Sequence, residues 1–342
     1  MNKMKFIFAG GGTGGHLFPG LAIAQEISAI EKESEIIFIG NKDKIEGRVV
    51  PKYGYGFRHI NISGFSRKMN ISNMIFPFKL FVSILKSAGI ILKFKPDVVI
   101  GTGGYVSGPV LYTASLFGFK TVLQDHNSYP GITTRLLAGK AKEIHLAFHE
   151  ARKYFKKEDN LILSGFPVRS SFKKIEKQKA IEFFGLKADR PVLFITGGSQ
   201  GAKKINDELI SIIDKLLSDG IQIIWQTGSI QYKEISEKFK NPSLKIYEFL
   251  NEMDYAYSVC DLAITRAGAT TIGELIRMET PAILIPLPTA AEDHQTKNAN
   301  SLCDENAAIM LPEKELTGNL FDLVIRTVKD PEKLETIKSN LR

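Results

Sequence analysis

The chain has 342 residues, of which 44% are hydrophobic, and its formal net charge is +8. A chain of this length exceeds the size at which one hydrophobic core stops growing, so two domains are expected. Two cysteines cannot form a disulfide framework, and the apolar run before residue 10 is too short for a signal peptide. The composition therefore excludes a disulfide-rich secreted protein and predicts a cytoplasmic one.

Apolar runs of strand length alternate with helix-like segments along the whole chain. The predicted strands are residues 5–9, 35–40, 57–62, 97–101, 121–124, 143–148, 161–164, 191–196, 221–226, 244–249, 262–265, 282–286 and 308–311. Predicted helices include residues 71–94, 109–117 and 132–141. This alternation is typical of α/β proteins with parallel sheets. We predict a first domain of residues 1–165 and a second of residues 166–317, with a helix at about 318–342 that packs back on the first.

Glycine-rich turns directly follow apolar strands at residues 10–15, 101–104 and 197–202. A strand that ends in glycines and restarts as a helix lets backbone N–H groups approach an anion at the positive end of the helix. The first turn matches the dinucleotide fingerprint, but the second strand ends in Gly40 and Asn41, where a nicotinamide site needs an acidic residue. We therefore expect phosphate binding by two domains that face one cleft, without a nicotinamide cofactor.

Titratable side chains stand at two of the predicted strand ends in the first half. His16 closes the first glycine turn and has a pKa range suited to proton transfer; the alternative is a structural hydrogen bond. Asp125, His126 and Asn127 follow the strand at 121–124, at the sheet edge where open α/β folds bind ligands. For Asp125 and Asn127 the alternative is that they only form a turn.

The second half carries two further polar segments after strands. Residues 265–271 leave a strand, and Glu274, one helical turn later, could accept hydrogen bonds from a ribose diol; a simple preference for the first helical turn is the alternative. Residues 290–298 could bind sugar hydroxyls. The chain has no Asp-x-Asp and no His, Cys or carboxylate set at metal-ligand spacing, so we expect no metal.

Positive charge is concentrated in the first half. Residues 1–165 hold 22 basic and 12 acidic side chains, against 23 and 25 in the rest, and nine basic residues and no acid lie between Gly47 and Pro96. Such a block indicates an anionic partner, for which we predict a membrane surface and not nucleic acid. The apolar helix at 71–94 is either an ordinary crossover helix or a membrane contact. The predicted contact residues are Ile75, Phe76, Phe78, Lys79, Phe81 and Lys86.

Five motifs in this order resemble those of the MurG family of peptidoglycan GlcNAc transferases. They lie at residues 10–22, 103–109, 197–202, 266–269 and 293–299. The resemblance implies the GT-B fold, with two Rossmann-like domains. It also implies transfer of GlcNAc from UDP-GlcNAc to the MurNAc 4-hydroxyl of undecaprenyl-diphospho-MurNAc-pentapeptide (lipid I), with inversion, at the cytoplasmic face of the plasma membrane and without a cofactor.

The same resemblance implies roles for individual residues. The general base would be His16 or Asp125. The UDP-GlcNAc site would comprise Thr13, Gly14, Gly15, Asn127, Arg169, Ser199, Gln200, Phe249, Leu250, Arg266, Ala269, Thr270, Glu274, His294 and Gln295. The acceptor diphosphate would meet Gly12, Gly103, Gly104 and Tyr105. Two segments depart from the family pattern: residues 124–127 read QDHN in place of HEQN, and residues 165–169 read GFPVR in place of GNPVR.

Two alternatives stay open at this point. A non-hydrolysing UDP-GlcNAc 2-epimerase shares the fold but needs no lipid contact, which would leave the acid-free basic block unexplained. A catalytically silent membrane-docking subunit would not need both a complete donor half and a complete acceptor half in one chain.

Overall fold

The computed structural model describes residues 3–64, 71–169, 172–198 and 201–342. The chain forms two compact units, Met1–Ser171 and Phe172–Arg342, which we call the first and the second unit. The division lies a few residues after the predicted boundary and places Arg169 in the first unit.

The first unit is built on a sheet of seven parallel strands. Its strands are β1 (Lys5–Gly10), β2 (Glu35–Gly40), β3 (Gly56–His59), β4 (Val98–Gly103), β5 (Lys120–Asp125), β6 (Glu143–Leu146) and β7 (Leu161–Leu163). Its α-helices are α1 (Gly14–Ile30), α2 (Ile45–Val49), α3 (Ile71–Phe94), α4 (Ser107–Leu116) and α5 (Ile132–Leu137). The strand order is β3-β2-β1-β4-β5-β6-β7.

Helices cover both faces of this sheet, because its strands are apolar on both sides. Along β1, Phe6 and Phe8 enter one core with Leu17 of α1, while Ile7 and Ala9 enter the opposite core, where α3, α4 and α5 pack. This alternation is the two-residue period of a β-strand.

The second unit repeats the plan with six parallel strands in the order β10-β9-β8-β11-β12-β13. The strands are β8 (Val192–Thr196), β9 (Gln222–Gln226), β10 (Leu244–Tyr247), β11 (Leu262–Thr265), β12 (Ala282–Leu284) and β13 (Ile309–Met310). The α-helices are α6 (Lys177–Phe184), α7 (Lys203–Ser218), α8 (Tyr232–Lys238), α9 (Met253–Val259), α10 (Ala269–Met278), α11 (His294–Asp304), α12 (Leu320–Val328) and α13 (Pro331–Asn340).

The C-terminal helices join the second unit. Leu320 and Val324 of α12 are fully buried in its core, and α12 packs on α7. Their additional packing on the first domain stays a prediction.

The α/β architecture with parallel sheets is confirmed, and each predicted strand is present with small shifts of its ends. The largest shift is at β3, which ends at His59 although residues 57–62 were expected. The reason is local: the backbone N–H and C=O of Ile62 pair with the side chain of Asn41 and not with a strand.

Strand order reverses at one point in each sheet, between β1 and β4 and between β8 and β11. Open α/β sheets bind ligands at such a point, outside the carboxyl ends of the strands. The glycine-rich turns after β1, β4 and β8 and the turn after β11 all begin there.

Candidate functional site

The two glycine turns of the first unit touch each other. Gly104 has φ +78°, and a Cβ on it would lie 2.4 Å from the carbonyl oxygen of Gly11. Gly103 has φ +99°, and a Cβ there would lie 2.5 Å from the His16 ring. Only glycine fits at both positions, because any side chain would force the turns apart. The structure therefore brings the predicted residues after β1 and β4 into one surface.

His16 is held by two contacts with Thr102 of β4. Its Nδ1 lies 3.2 Å from the Thr102 carbonyl oxygen, and the Thr102 hydroxyl donates to the His16 carbonyl oxygen over 2.7 Å. Since a carbonyl oxygen can only accept, Nδ1 carries the proton, and the basic lone pair of the neutral ring is on Nε2. The His16 ring centroid lies 5.5 Å from that of His126. The geometry suits a general base at the start of α1.

Asp125 is buried at the end of β5, with 4% of its surface exposed. Its two carboxylate oxygens accept the backbone N–H groups of Asn127 at 3.2 Å and Gly131 at 2.9 Å. Burial raises the pKa of the Asp125 carboxyl, and hydrogen bonds from Thr134 and from the loop oppose that shift. The carboxylate therefore fixes the loop that carries Asn127.

The start of α1 supplies backbone donors from Thr13, Gly14 and Gly15, since the first N–H groups of a helix have no partner within it. Gly12 differs, because its N–H donates to the Glu46 carboxylate over 2.9 Å. Contact of this turn with an acceptor diphosphate would thus come from the residues after Gly12.

Tyr105 and Arg169 also border this region. Tyr105 follows the β4 turn and is exposed, and its ring lies against Gly64, where a Cβ would come within 2.1 Å. The guanidinium of Arg169 lies 6.0 Å from the ring centroid of Phe18 in α1. Arg169 was expected in the donor domain, and the structure places it beside α1.

In the second unit, a buried glutamine ties two turns together. Gln226, at the end of β9, donates to the Thr196 hydroxyl at 3.0 Å and to the Gly198 carbonyl at 3.1 Å, and its oxygen accepts Leu250 N–H at 2.9 Å. Leu250 is buried, while Phe249 beside it exposes 55% of its surface. Phe249 can therefore stack on a flat ring at the end of β10. Sequence reasoning missed Gln226, since its only signal is a polar residue in an apolar strand.

Ser199 and Gln200 lie outside the described residues. The described residues before them, Gly197 and Gly198, follow β8, and Gln226 donates to the Gly198 carbonyl oxygen.

Helix α10 begins at Ala269 and presents three of the predicted residues. Among the described residues, the buried Thr270 Oγ1 has no hydrogen-bond partner. Glu274 accepts the phenol proton of Tyr257 over 3.3 Å. Tyr257 is buried, and desolvation together with the Glu274 charge raises the pKa of its phenol well above the usual value. Tyr257 therefore stays a donor that orients the carboxylate.

Arg266, predicted at the phosphate side of this turn, has a structural role for its side chain. The guanidinium donates to the carbonyl oxygens of Ile285 at 3.2 Å and Pro286 at 3.3 Å and forms an ion pair with Glu313. Since these bonds brace the chain after β12, the side chain is engaged within the protein, and a phosphate would meet the turn through its backbone.

At the start of α11, His294 and Gln295 are oriented by backbone groups. His294 Nδ1 lies 2.7 Å from the Ala291 carbonyl oxygen, which leaves the lone pair on Nε2. The Gln295 oxygen accepts Leu287 N–H over 3.0 Å, which leaves its amide nitrogen as a donor. One acceptor and one donor of this kind suit sugar hydroxyls.

Helix α3 presents an apolar stripe to solvent. By length and composition this helix could cross a membrane: the segment Ile75–Phe94 has a mean hydropathy of 1.8, and 17% of its 18-residue apolar window is buried. Its exposed apolar side chains are Ile75, Phe78, Phe81, Leu85 and Leu92. Lysines at 79, 86 and 93 each follow a member of that stripe. Leu116 of α4 and Leu136 of α5 are also exposed. Helix α4 packs on α3, and α5 packs on α4.

Phe76 does not belong to this stripe. It is half-buried and packs against the core under α3, unlike Phe78, which exposes 69% of its surface. The predicted membrane contact of Phe76 is thus replaced by a packing role, because residue 76 lies on the opposite side of the helix from residue 78.

Among the described residues, no group of three or more His, Cys, Asp or Glu side chains could hold a metal ion.

Comparison with known proteins matches both halves of the chain to one family. The N-terminal domain of glycosyltransferase family 28 matches residues 6–146, and the C-terminal domain of that family matches residues 192–341. A relative from Flavobacterium psychrophilum, named UDP-N-acetylglucosamine--N-acetylmuramyl-(pentapeptide) pyrophosphoryl-undecaprenol N-acetylglucosamine transferase, is 42% identical and covers 100% of this chain and 94% of its own. A relative of the same name from Phocaeicola vulgatus is 40% identical, covering 99% and 92%.

Solved structures agree in fold. MurG of Acinetobacter baumannii superimposes with a TM-score of 0.79 at 26% identity, over 99% of this chain and 94% of the other. A putative UDP-N-acetylglucosamine 2-epimerase of Listeria monocytogenes reaches a TM-score of 0.69 over 99% and 91% but is 11% identical, which shows the shared fold alone. With both family domains in order and relatives at about 40% identity over the whole chain, this protein belongs to the MurG family within glycosyltransferase family 28.

Proposed function

We propose that this protein transfers GlcNAc from UDP-GlcNAc to the 4-hydroxyl of MurNAc in lipid I, forming lipid II with inversion at the anomeric carbon. The observation that carries the proposal is the similarity over the full chain to transferases named for this reaction, at 42% and 40% identity. The two switch points with their glycine turns supply what the reaction needs.

The donor half of the site lies on the second unit. The N–H groups at the start of α10 and in the turn after β8 would bind the diphosphate, with Ser199 and Gln200 beside it. Glu274 would accept the ribose hydroxyls, and Ala269 and Thr270 would lie at the phosphate side of the turn that begins α10. Phe249 with Leu250 would contact the uracil. His294 and Gln295 would bind the GlcNAc hydroxyls through the acceptor and donor that their backbone contacts leave available.

The acceptor half lies on the first unit. The turn at Gly103–Tyr105 would hold the diphosphate of lipid I, next to the turn at Thr13–Gly15. Thr13, Gly14, Gly15, Asn127 and Arg169 would also contact UDP-GlcNAc, as the family resemblance implies. His16 Nε2 would act as the general base, since the Thr102 carbonyl holds the proton on Nδ1. Asp125 would act through the loop it fixes.

The reaction is a single displacement. The 4-hydroxyl oxygen of MurNAc attacks the anomeric carbon of GlcNAc from the face opposite UDP, and its proton passes to His16 Nε2. The bond from the anomeric carbon to the UDP oxygen breaks, and UDP leaves with that electron pair. Backbone N–H groups at the helix starts stabilise the added negative charge on the diphosphate.

Membrane association follows from the acceptor, whose diphosphate lies at the bilayer surface. The exposed stripe of α3, with Lys79 and Lys86 beside it, would enter the headgroup region of an anionic leaflet. We therefore propose peripheral attachment at the cytoplasmic face of the plasma membrane.

The test is an assay with radiolabelled UDP-GlcNAc and a short-chain lipid I analogue. We expect label in a product with one added GlcNAc, dependent on both substrates. Conversion of UDP-GlcNAc to UDP-ManNAc without label in lipid would show an epimerase, and no turnover of either kind would show a silent subunit. Either result would overturn the proposal.

A further inference from the structure

We propose that Glu46 is the positioning residue of the acceptor half, a role that rests on the proposed function. Glu46 lies in α2, which follows β2, and has 1% of its surface exposed. It has no charged partner in the described contacts and touches none of the reacting atoms. Its importance lies in the backbone groups that it holds.

Both carboxylate oxygens of Glu46 accept backbone N–H groups from different strand ends. Oε2 accepts Gly12 N–H after β1, and Oε1 accepts Asn41 N–H after β2, each over 2.9 Å. A carboxylate can accept at both oxygens, whereas a carboxamide has one acceptor oxygen and an NH₂ group that would face a second donor. The site therefore requires the carboxylate.

Close packing transmits this position to the β4 turn. A Cβ on Gly11 would lie 2.4 Å from Glu46 Cδ, and one on Gly40 would lie 2.4 Å from Glu46 Cγ. The carbonyl oxygen of Gly11 lies against Gly104: a Cβ on Gly104 would come within 2.4 Å of that oxygen. The carboxylate thus supports the first turn, and the first turn supports the second.

A second branch reaches Tyr105. The Asn41 side chain donates to Ile62 C=O over 2.8 Å and accepts Ile62 N–H over 3.1 Å. Two residues later, Gly64 lies against the Tyr105 ring. Glu46 consequently connects, through Gly11 and through Asn41, to both of the segments proposed to hold the acceptor diphosphate.

The test is Glu46→Gln, which keeps the side-chain volume and removes one of the two acceptors. We expect kcat/KM for the lipid I analogue to fall by roughly 10- to 100-fold, the loss of one hydrogen bond to a charged group. The affinity for UDP should stay as in the wild type when measured by calorimetry, because its proposed uracil and ribose contacts, Phe249, Leu250 and Glu274, are in the second unit and do not touch Glu46.

Two further variants keep the test decisive. Glu46→Asp keeps the charge but is one methylene shorter, so it should reach one donor and show a similar selective loss if Glu46→Gln does not fold. Asn160→Ala is the matched control, because Asn160 also ties two carbonyls, of Ala138 and Ala141, in the first unit. It should lower the melting temperature without changing the acceptor KM.

Three results would overturn the role of Glu46: wild-type acceptor kinetics in Glu46→Gln, an equal loss of UDP affinity, or the same acceptor loss in Asn160→Ala. Transfer by the wild-type enzyme in the same assay stands apart from these outcomes, so the proposed function is tested separately.

Discussion

His16 and Asp125 reach the same sheet edge with different chemical capacities. The Thr102 carbonyl fixes the His16 tautomer with its lone pair on Nε2. Both oxygens of the Asp125 carboxylate already accept backbone N–H groups, and the residue is 4% exposed. A base must be within hydrogen-bond reach of the proton that it takes, so the geometry favours His16.

We expect His16→Ala to lower kcat by about 10²- to 10⁴-fold at saturating substrates, the contribution of general base catalysis. Asp125→Asn should lower kcat by a smaller factor, since it weakens the hydrogen bonds of a loop and removes no general base. His145→Ala is the control, because His145 pairs with Glu143 within β6. A larger kcat loss in Asp125→Asn than in His16→Ala would make Asp125 the base.

The buried Asp125 also predicts a pH dependence of stability. Its folded-state pKa is raised above the ordinary 3.8, so its contribution to stability is full below that value and is lost as pH rises through the folded pKa. We expect the free energy of unfolding of Asp125→Asn to increase relative to that of the wild type as the pH rises from about 4. Urea unfolding at several pH values measures it, and a difference independent of pH would contradict the assignment.

Tyr257 gives a clean test of the ribose contact. Tyr257→Phe keeps the ring packing on Phe194 and Phe172 and removes the proton donated to Glu274. We expect weaker UDP binding and a smaller preference for UDP over 2′-deoxy-UDP, by calorimetric titration. When Glu274→Gln is already present, adding Tyr257→Phe should have little further effect, because the two residues act together. Additive losses would separate Tyr257 from the ribose.

At the scale of elements, α3 is the segment that we propose contacts the bilayer. We expect Phe78→Ser with Phe81→Ser, or Lys79→Glu with Lys86→Glu, to reduce sedimentation with phosphatidylglycerol vesicles. Loss of two lysine contacts alone weakens binding by roughly 30-fold, at about 1 kcal/mol each. Activity on a soluble acceptor should survive.

The control for this experiment is Lys179→Glu with Lys333→Glu, which changes the net charge equally on exposed positions of the second unit. Equal vesicle binding by the α3 variants and the wild type would return α3 to the role of an ordinary crossover helix.

Elements and turns were more predictable from the sequence than the contacts behind them. Buried strands are continuous apolar runs, and glycine-rich turns can be read directly from the sequence. Both could therefore be predicted from local sequence alone. The role of Glu46 could not be predicted in this way, because Glu46 accepts the N–H of Gly12, which is 34 residues away in the sequence. The direction of Phe76 was missed for a related reason: an all-apolar helix does not reveal which side faces the core.

At the scale of the whole molecule, the two units position their ligand-binding turns in the same way. In each, a parallel sheet brings glycine turns to its switch point, and a buried polar side chain, Glu46 or Gln226, fixes them from behind. Charge distinguishes the units: basic residues exceed acidic ones by ten in residues 1–165, and acidic residues exceed basic ones by two in the rest. The unit proposed to meet the anionic leaflet is the basic one.

The exposed stripe of α3 also governs how the protein behaves when no lipid is present. A row of phenylalanine and leucine side chains facing water lowers colloidal stability, since two copies can cover each other's stripe. Purified preparations should self-associate as concentration rises, and mild detergent should disperse them. The lysines beside the stripe repel one another between copies, and added salt weakens that repulsion. High salt, which should weaken the proposed binding to anionic vesicles, would therefore favour self-association.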